Sequence, residues 1–300
     1  MDRRTFLGTV AAAGFGAAFE AHSAGEPGQF AGVAAGTFVW TQVLGKQGKD
    51  PRENLDLIFE EVHSAGYEGV ETFADYVANP VQATRMTGLL DEHQLKLTGL
   101  YRGGVFHEEE KAKKTVDEIG QLAEIALALD CLHIIVNPDP LPDREKTDQE
   151  LDIQAQNLNK AGELAKKAGV CLDVHFHAPE LRNDARELRW DMDKTDPALV
   201  FLCDDVHWMY RGGVDPYALL EKYGPRVRGT HLRNSVGGVW SEELGPGDID
   251  YARIAERLKK IGYTEWLTVE LAIEDKTPQT RPLVESMKMS REFIRQTFGA

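Results

Sequence analysis

The stretch Leu199–Trp208, which reads LVFLCDDVHW, decides the fold prediction. Its apolar first half predicts a short buried strand, which ends in two carboxylates, Asp204 and Asp205, with His207 close behind. In parallel α/β proteins, ligands and catalytic groups gather at the carboxyl ends of the strands. Three other segments in the second half of the chain end in the same way, so we interpret these strand ends as one candidate site.

Strand-like and helix-like segments alternate from Phe30 to Phe298, which predicts a parallel sheet. Eight predicted strands within about 270 residues match the size of a (β/α)₈ barrel. We therefore predict an α/β fold, a single-domain TIM barrel over residues 25–300. An open doubly wound sheet is the alternative, but no G-x-G-x-x-G or P-loop sequence follows any predicted strand. One helix shows the expected period of 3.6 in its apolar residues, which are Leu55, Ile58, Phe59, Val62 and Ala65.

The first 24 residues have the features of an export signal. A twin arginine lies in Asp2–Gly8, an apolar run follows over Thr9–Phe19, and small residues surround Ala21–Ala24. We predict a twin-arginine-type signal segment at residues 1–24 and a periplasmic or secreted protein. The apolar run is short for a bilayer span, so we expect no stable membrane insertion after signal removal. A frayed apolar helix is the alternative.

Composition excludes several classes of partner. Of the 300 residues, 42% are hydrophobic and 28% are charged, with a net charge of −15. This acidic balance disfavours nucleic acid and anionic membranes, both of which need a cationic surface. The three cysteines, Cys131, Cys171 and Cys203, fall in predicted strands and are interpreted as buried thiols. A small-molecule substrate is the partner that remains.

The carboxyl ends of predicted strands five to eight carry His175, Asp204, His231 and Glu270. Two imidazoles and two carboxylates suit one divalent cation such as Mn²⁺, Zn²⁺ or Co²⁺, and the lack of thiolates argues against a closed structural zinc site. Each residue alone has an ordinary explanation; Asp204 or Asp205, for example, could be the N-cap of the next helix. Four consecutive strands that each deliver a ligand type favour the metal site.

Five short motifs resemble one superfamily: Gly66–Glu71, Asp204-x-x-His207 followed by Arg211–Asp215, His231–Asn234, Gly245–Asp250 and Val269–Glu270. Together they resemble the sugar phosphate isomerase/epimerase superfamily, the xylose-isomerase-like TIM barrels that also include endonuclease IV. The resemblance spans roughly residues 30–298. It implies that Asp204, His231 and Glu270 bind metal, that His207 contacts substrate and that Arg233 holds substrate oxygens.

The fourth ligand departs from this pattern. The superfamily usually ends strand five in a glutamate, whereas this chain has His175 and His177 there, similar to a His-x-His in one branch. The family's epimerases use two metal-bound glutamates on opposite faces of the substrate carbon, and only Glu270 matches one. Glu180 is an alternative fourth ligand.

Further residues are candidates for substrate binding. Glu71 ends predicted strand two and could bind substrate hydroxyls or accept a proton, or form a surface salt bridge. Trp40 and Trp240 fall in predicted loops at the same end, where they could stack on a sugar ring or cover the core. His107 follows a Gly-Gly pair and is expected to be mobile.

These features predict a divalent-metal-dependent sugar or keto-sugar isomerase/epimerase that acts on a small carbohydrate through enolate-type proton transfer. Glu270, His207 or His177 would move the proton. A metal-dependent lyase or dehydratase on a keto-sugar or keto-glycoside is one alternative. A non-catalytic periplasmic carbohydrate-binding barrel is another. A nuclease like endonuclease IV is disfavoured by the negative charge.

Overall fold

The computed structural model describes residues 29–300, so the predicted signal segment at residues 1–24 lies outside the described chain. The described residues form ten strands, which are β1 Gly32–Gly36, β2 Gly69–Phe73, β3 Lys96–Gly104, β4 His133–Pro138, β5 Cys171–Val174, β6 Val200–Asp205, β7 Val227–Leu232, β8 Ser235–Val236, β9 Val239–Trp240 and β10 Trp266–Val269. Eight of them close a parallel barrel in the order β1-β10-β7-β6-β5-β4-β3-β2, and β8 and β9 form a separate antiparallel hairpin. The predicted TIM barrel is confirmed.

Helices connect the barrel strands and cover the outside of the sheet. They are α1 Phe38–Lys46, α2 Leu55–Ser64, α3 Pro80–Glu92, α4 Glu109–Ala128, α5 Asp148–Ala168, α6 Arg182–Lys194, α7 Val206–Arg211, α8 Pro216–Tyr223, α9 Tyr251–Lys260 and α10 Leu283–Phe298. The apolar stripe predicted for α2 is buried against the sheet. Within the described part of the chain, no helix is both long and apolar enough to cross a membrane.

Four elements depart from the sequence prediction, namely α1, α6, α7 and the β8–β9 hairpin. Helix α1 begins two residues after β1, and its N-cap Thr37 makes no side-chain capping bond, so the usual start signal is missing. Helix α6 is strongly polar and contains three residues, Asn183–Ala185, in the left-handed conformation. Three left-handed residues are not expected in a right-handed helix, because this backbone conformation costs roughly 1–2 kcal/mol per non-glycine residue.

The register of the barrel brings the strand ends to one level. His231 in β7 is opposite Asp205 in β6 and opposite Thr268 in β10. Because successive side chains alternate between the interior and the helices, this register decides which polar side chains face the bowl at the carboxyl end.

Candidate metal centre

Four adjacent barrel strands bring two imidazoles and two carboxylates together. His175 follows β5, Asp205 ends β6, His231 lies in β7 and Glu270 follows β10. One ligand atom from each residue lies within 4.8 Å of the other three, and all but the half-buried Glu270 are buried. We call these residues the ligand cluster, since their donors are consistent with a divalent metal site.

The β6 carboxylate of the ligand cluster is Asp205, which corrects the predicted Asp204. Neighbouring residues of a strand face opposite sides, so only one of the two can face the barrel interior. Asp205 is opposite His231, whereas Asp204 is opposite Thr230 and lies outside the cluster. Neither oxygen of Asp204 has a hydrogen-bond partner among residues 29–300. Burial raises the pKa of Asp204 to about 7, and the nearby charge of Asp205 adds to the rise.

Asp205 uses its two oxygens differently. Its Oδ1 accepts a hydrogen bond from the backbone N–H of Trp208 at 2.8 Å and so caps α7. Its Oδ2 lies 3.2 Å from His175 Nε2 and accepts a hydrogen bond from Arg233. Arg233 also donates to the Glu270 carboxylate. Burial acts to raise the pKa of Asp205, but the Arg233 guanidinium and His175 outweigh it and hold this pKa well below the usual range.

Glu71 orients His231. The Nε2 atom of His231 lies 2.8 Å from Glu71 Oε1. Its Nδ1 atom therefore faces the cluster, 3.5 Å from Glu270 Oε2 and 3.8 Å from Asp205 Oδ2. This buried nitrogen has no hydrogen-bond partner in the described structure. A lone pair that faces two carboxylates is repelled unless positive charge lies there, and a divalent cation supplies that charge, so the residues present fit a metal.

The electrostatics of His231 agree with this. Burial alone would lower its pKa, but Cys203, Glu270 and Glu71 together raise it well above the ordinary value. Positive charge is thus favoured at this position. Glu71 lies behind His231 rather than free in the bowl, which matches the carboxylate–histidine arrangement that fixes the orientation of metal ligands.

Arg233 is enclosed by aromatic rings. Its guanidinium carbon lies 4.8 Å from the ring centroid of Trp240 and 5.4 Å from that of Trp208, and these two rings are 5.2 Å apart. The side chain is only 3% exposed. Trp240, predicted in a loop, is a buried residue of β9. Arg233 therefore faces the cluster carboxylates on one side and indole rings on the other.

His207 is fully buried beneath the β8–β9 hairpin. Its Nε2 lies 3.0 Å from Ser235 Oγ, which donates to Asp248 Oδ2 at 2.7 Å. Its ring is 5.0 Å from that of Trp240. Burial and the charge of Arg233 lower the pKa of His207 to about 4. The structure thus places this predicted catalytic histidine next to the bowl wall, outside the ligand cluster.

His177 lies beside the cluster and keeps partial exposure. Its ring centroid is 4.6 Å from that of His175 and 5.2 Å from that of Trp208. Burial and the neighbouring His175 lower the pKa of His177 to about 3. Glu180 Oε2 accepts a hydrogen bond from the backbone N–H of His177 at 3.0 Å, and burial raises the pKa of Glu180 to about 7. Glu180 lies outside the cluster, so His175 takes the strand-five position.

Tyr101 is a bowl residue that the sequence analysis missed. Its ring centroid lies 5.8 Å from that of His175 and 5.9 Å from that of Phe73. Two residues earlier in β3, a Cβ on Gly99 would meet Glu71 Cγ at 3.1 Å, so this face of the strand points inward. Burial raises the pKa of Tyr101, which keeps the phenol protonated. The alternation within β3 is the sequence signal that could have identified it.

The remaining predicted residues lie elsewhere. Trp40 belongs to α1 rather than to a loop, and its indole N–H donates to Glu61 at 2.7 Å. It lines a separate cavity of about 340 Å³ formed with α2 and the segment after β10. His107 is buried; its Nε2 lies 3.6 Å from Glu108 Oε1, and burial lowers its pKa. In the described structure neither residue belongs to the ligand cluster.

Comparisons with known proteins agree with this architecture. The model of the xylose isomerase-like TIM barrel family matches residues 59–295. An inosose dehydratase from Geobacillus kaustophilus (strain HTA426) is 24% identical over 270 residues, which cover 80% of this chain and 86% of that protein. An L-ribulose 3-epimerase structure superposes with a TM-score of 0.70 at 18% identity, covering 90% of this chain and 95% of that one. A sugar phosphate isomerase/epimerase from Parabacteroides distasonis ATCC 8503 gives a TM-score of 0.69 at 18% identity, with coverage of 91% and 96%. The chain belongs to the xylose isomerase-like TIM barrel family, as its sequence motifs predict.

Proposed function

We propose that this protein is a divalent-metal-dependent dehydratase of a keto-polyol, of the inosose type named in its Geobacillus relative. The observation that carries the proposal is the strand-five position. His175 stands there, so Glu270 is the one glutamate of the ligand cluster in the described chain. Epimerases of the superfamily use two metal-bound glutamates on opposite faces of the carbon, whereas an elimination needs a proton acceptor on one face. This moves dehydration ahead of the isomerase/epimerase prediction.

The chemistry divides between the metal and the chain. A divalent cation, when bound by His175, Asp205, His231 and Glu270, polarises a substrate carbonyl and acidifies the adjacent C–H. The neutral, partly exposed imidazole of His177 accepts that proton. The C–H electron pair becomes a C=C bond as the C–O bond of the β-hydroxyl breaks. The leaving hydroxyl takes the proton back from His177 and departs as water, so the imidazole ends the cycle unchanged.

The test is product analysis with an inosose and Co²⁺. The protein is expected to convert the substrate to a product that has lost one water, measured by mass spectrometry. His177→Gln is expected to lower the rate by roughly 10²–10⁴-fold, the usual contribution of a general acid–base group, with Co²⁺ binding retained. His63→Gln, on the exposed face of α2, is the matched control and should keep full activity. No water loss from any inosose or keto-sugar would contradict the proposal.

Epimerisation or isomerisation of a keto-sugar is the second candidate. It is favoured by Glu180, because a carboxyl with a pKa of about 7 can both release and return a proton near neutrality. Incubation in D₂O separates the two functions. An epimerase places deuterium in the recovered keto-sugar without loss of water, whereas the dehydratase gives the dehydrated product. A carbohydrate-binding barrel would do neither. Export to the periplasm stays a prediction from residues 1–24, which cell fractionation tests.

A further inference from the structure

The two carboxylates of the ligand cluster, Asp205 and Glu270, share one positively charged side chain, Arg233. The side chains of Asp205 and Glu270 are 0% and 14% exposed. Burying a carboxylate without a counter-charge is costly. Arg233 supplies the counter-charge for both residues, because its Nη2 donates to Asp205 Oδ2 and its Nη1 donates to Glu270 Oε2. Nη1 also donates to the backbone carbonyl of Glu270 at 3.0 Å.

These two carboxylates are also half of the ligand cluster. The Arg233 guanidinium and a divalent cation would therefore bind the same two buried carboxylates. Positive charges held a few ångströms apart in such surroundings repel each other strongly. We propose that Arg233 is the resident counter-cation of the metal-free cluster and that a divalent cation binds in competition with it. This inference rests on the metal centre of the proposed function, and it assigns Arg233 a positioning role beyond the predicted contact with substrate oxygens.

Two tryptophan rings lie beside Arg233, and its guanidinium can pack against them when a metal ion binds Asp205 and Glu270. The rings of Trp208 and Trp240 lie 5.4 Å and 4.8 Å from its guanidinium carbon, and indole faces attract guanidinium groups. Its Nε is buried without a hydrogen-bond partner in the described structure, so the present position does not satisfy the whole side chain. A shift of the guanidinium against these rings would alter tryptophan emission, which gives a readout independent of turnover.

The experiment measures Zn²⁺ affinity by isothermal titration calorimetry on the metal-free full-length protein. Arg233→Met removes the charge and keeps an apolar stem. Arg211→Met is the matched control, because Arg211 also lies against Trp240, at 5.4 Å, but pairs with Glu274 outside the cluster. We expect Arg233→Met to bind Zn²⁺ at least tenfold more tightly than wild type, with Arg211→Met unchanged. Zn²⁺ should change tryptophan emission in wild type and in the control, and much less in Arg233→Met.

Thermal unfolding supplies the second readout. Without metal, Arg233→Met should melt below wild type, because two buried carboxylates lose their counter-charge. Zn²⁺ should then raise its Tm by more than it raises that of wild type. Arg233→Gln, uncharged but still a hydrogen-bond donor, replaces the Met variant if the latter does not fold, and it too should bind Zn²⁺ more tightly.

Each outcome is decisive. Equal or weaker Zn²⁺ binding by the uncharged variants overturns the competition, and Arg233 would then support the metal rather than oppose it. Binding by the variants but not by wild type supports the competition strongly. Binding by neither overturns this inference and removes the metal centre of the proposed function. If wild type binds Zn²⁺ but has neither dehydratase nor epimerase activity, only the proposed reaction is refuted, and the affinities of the variants still decide the competition.

Discussion

Replacing Glu71 tests how far the ligand cluster depends on a residue that is not part of it. Glu71 Oε1 lies 2.8 Å from His231 Nε2, and the two side chains are 7% and 0% exposed. This bond fixes the imidazole with Nδ1 towards Asp205 and Glu270. If Glu71 holds His231 ready to bind metal, its removal must weaken metal binding even though it touches no metal itself.

The size of the effect follows from the type of bond. A hydrogen bond to a charged group contributes roughly 1.5–3 kcal/mol, against roughly 0.5–1.5 kcal/mol for a neutral one. Glu71→Gln keeps an acceptor but loses the charge, so it should weaken Zn²⁺ binding by about 1.4 kcal/mol, or about tenfold. Glu71→Ala removes the acceptor as well and should approach a loss of about a hundredfold, the upper end observed for residues that orient metal ligands.

The assay is titration calorimetry with Zn²⁺ on wild type, Glu71→Gln and Glu71→Ala. Glu68→Gln is the matched control, because Glu68 precedes the same strand, is 53% exposed and pairs with Arg291 on the surface. Its affinity for Zn²⁺ should equal that of wild type. An unchanged affinity in both Glu71 variants, or an equal loss in the Glu68 control, would refute the orienting role.

Two further predictions concern stability. Gly162→Ala in α5 should lower the free energy of unfolding by roughly 1–3 kcal/mol, because the new Cβ would lie 2.6 Å from the backbone oxygen of Leu199. Gly88→Ala in α3 should raise the free energy of unfolding by up to about 1 kcal/mol, because a Cβ there has nothing within 4 Å. Urea titration that finds the same sign for both variants would contradict this. Asp191→Asn addresses pH. Burial and then the charge of Glu187 raise the pKa of Asp191 well above its ordinary value. The unfolded chain therefore loses this proton first, at about pH 4, and wild type loses stability as the pH rises from there towards the folded-state pKa. Since Asn does not titrate, urea unfolding should show the difference in free energy growing in its favour with pH; a constant difference would exclude this titration.

The barrel could be predicted because its signals are repetitive. Each predicted strand is a short apolar run, and the buried stripe of α2 has the period of a helix. Elements that break these rules could not be predicted. The turn at Asn183–Ala185 holds three successive non-glycine residues at φ between +51° and +56°. The turn makes tertiary contacts, such as the bonds from Asn183 Nδ2 to both carboxylate oxygens of Glu145 at 2.8 Å, and no local pattern reveals such contacts.

The ligand cluster could be predicted to the level of the strand but not always to the residue. His231 and Glu270 each stand alone at a strand end, so the right strand was enough to select the right side chain. At strand five the sequence offered His175 with Glu180 as an alternative, and the structure places His175 in the cluster. Two aspartates end β6, and the choice between them depends on which residues of the strand face inward. The preceding run Leu199–Cys203 is apolar throughout, so the sequence shows no alternation from which this could be predicted. The predicted position of Trp40 was wrong because helix α1 was not predicted. In this helix the Trp40 indole points towards Glu61.

The same alternation explains why the polar interior is built in layers. Asp173 in β5 and His175 directly after this strand both face inward and are two residues apart, and Asp173 Oδ2 lies 2.8 Å from His133 Nδ1 in β4. His231 in β7 and Arg233 directly after this strand are likewise two residues apart, and they contact Glu71 and Asp205 respectively. A slip of one residue in either strand would turn both of its layers towards the helices at once. The Asp173–His133 pair and the ligand cluster are therefore fixed by one register. A substitution deep in the barrel that moved a strand would also move the ligand residues at its carboxyl end.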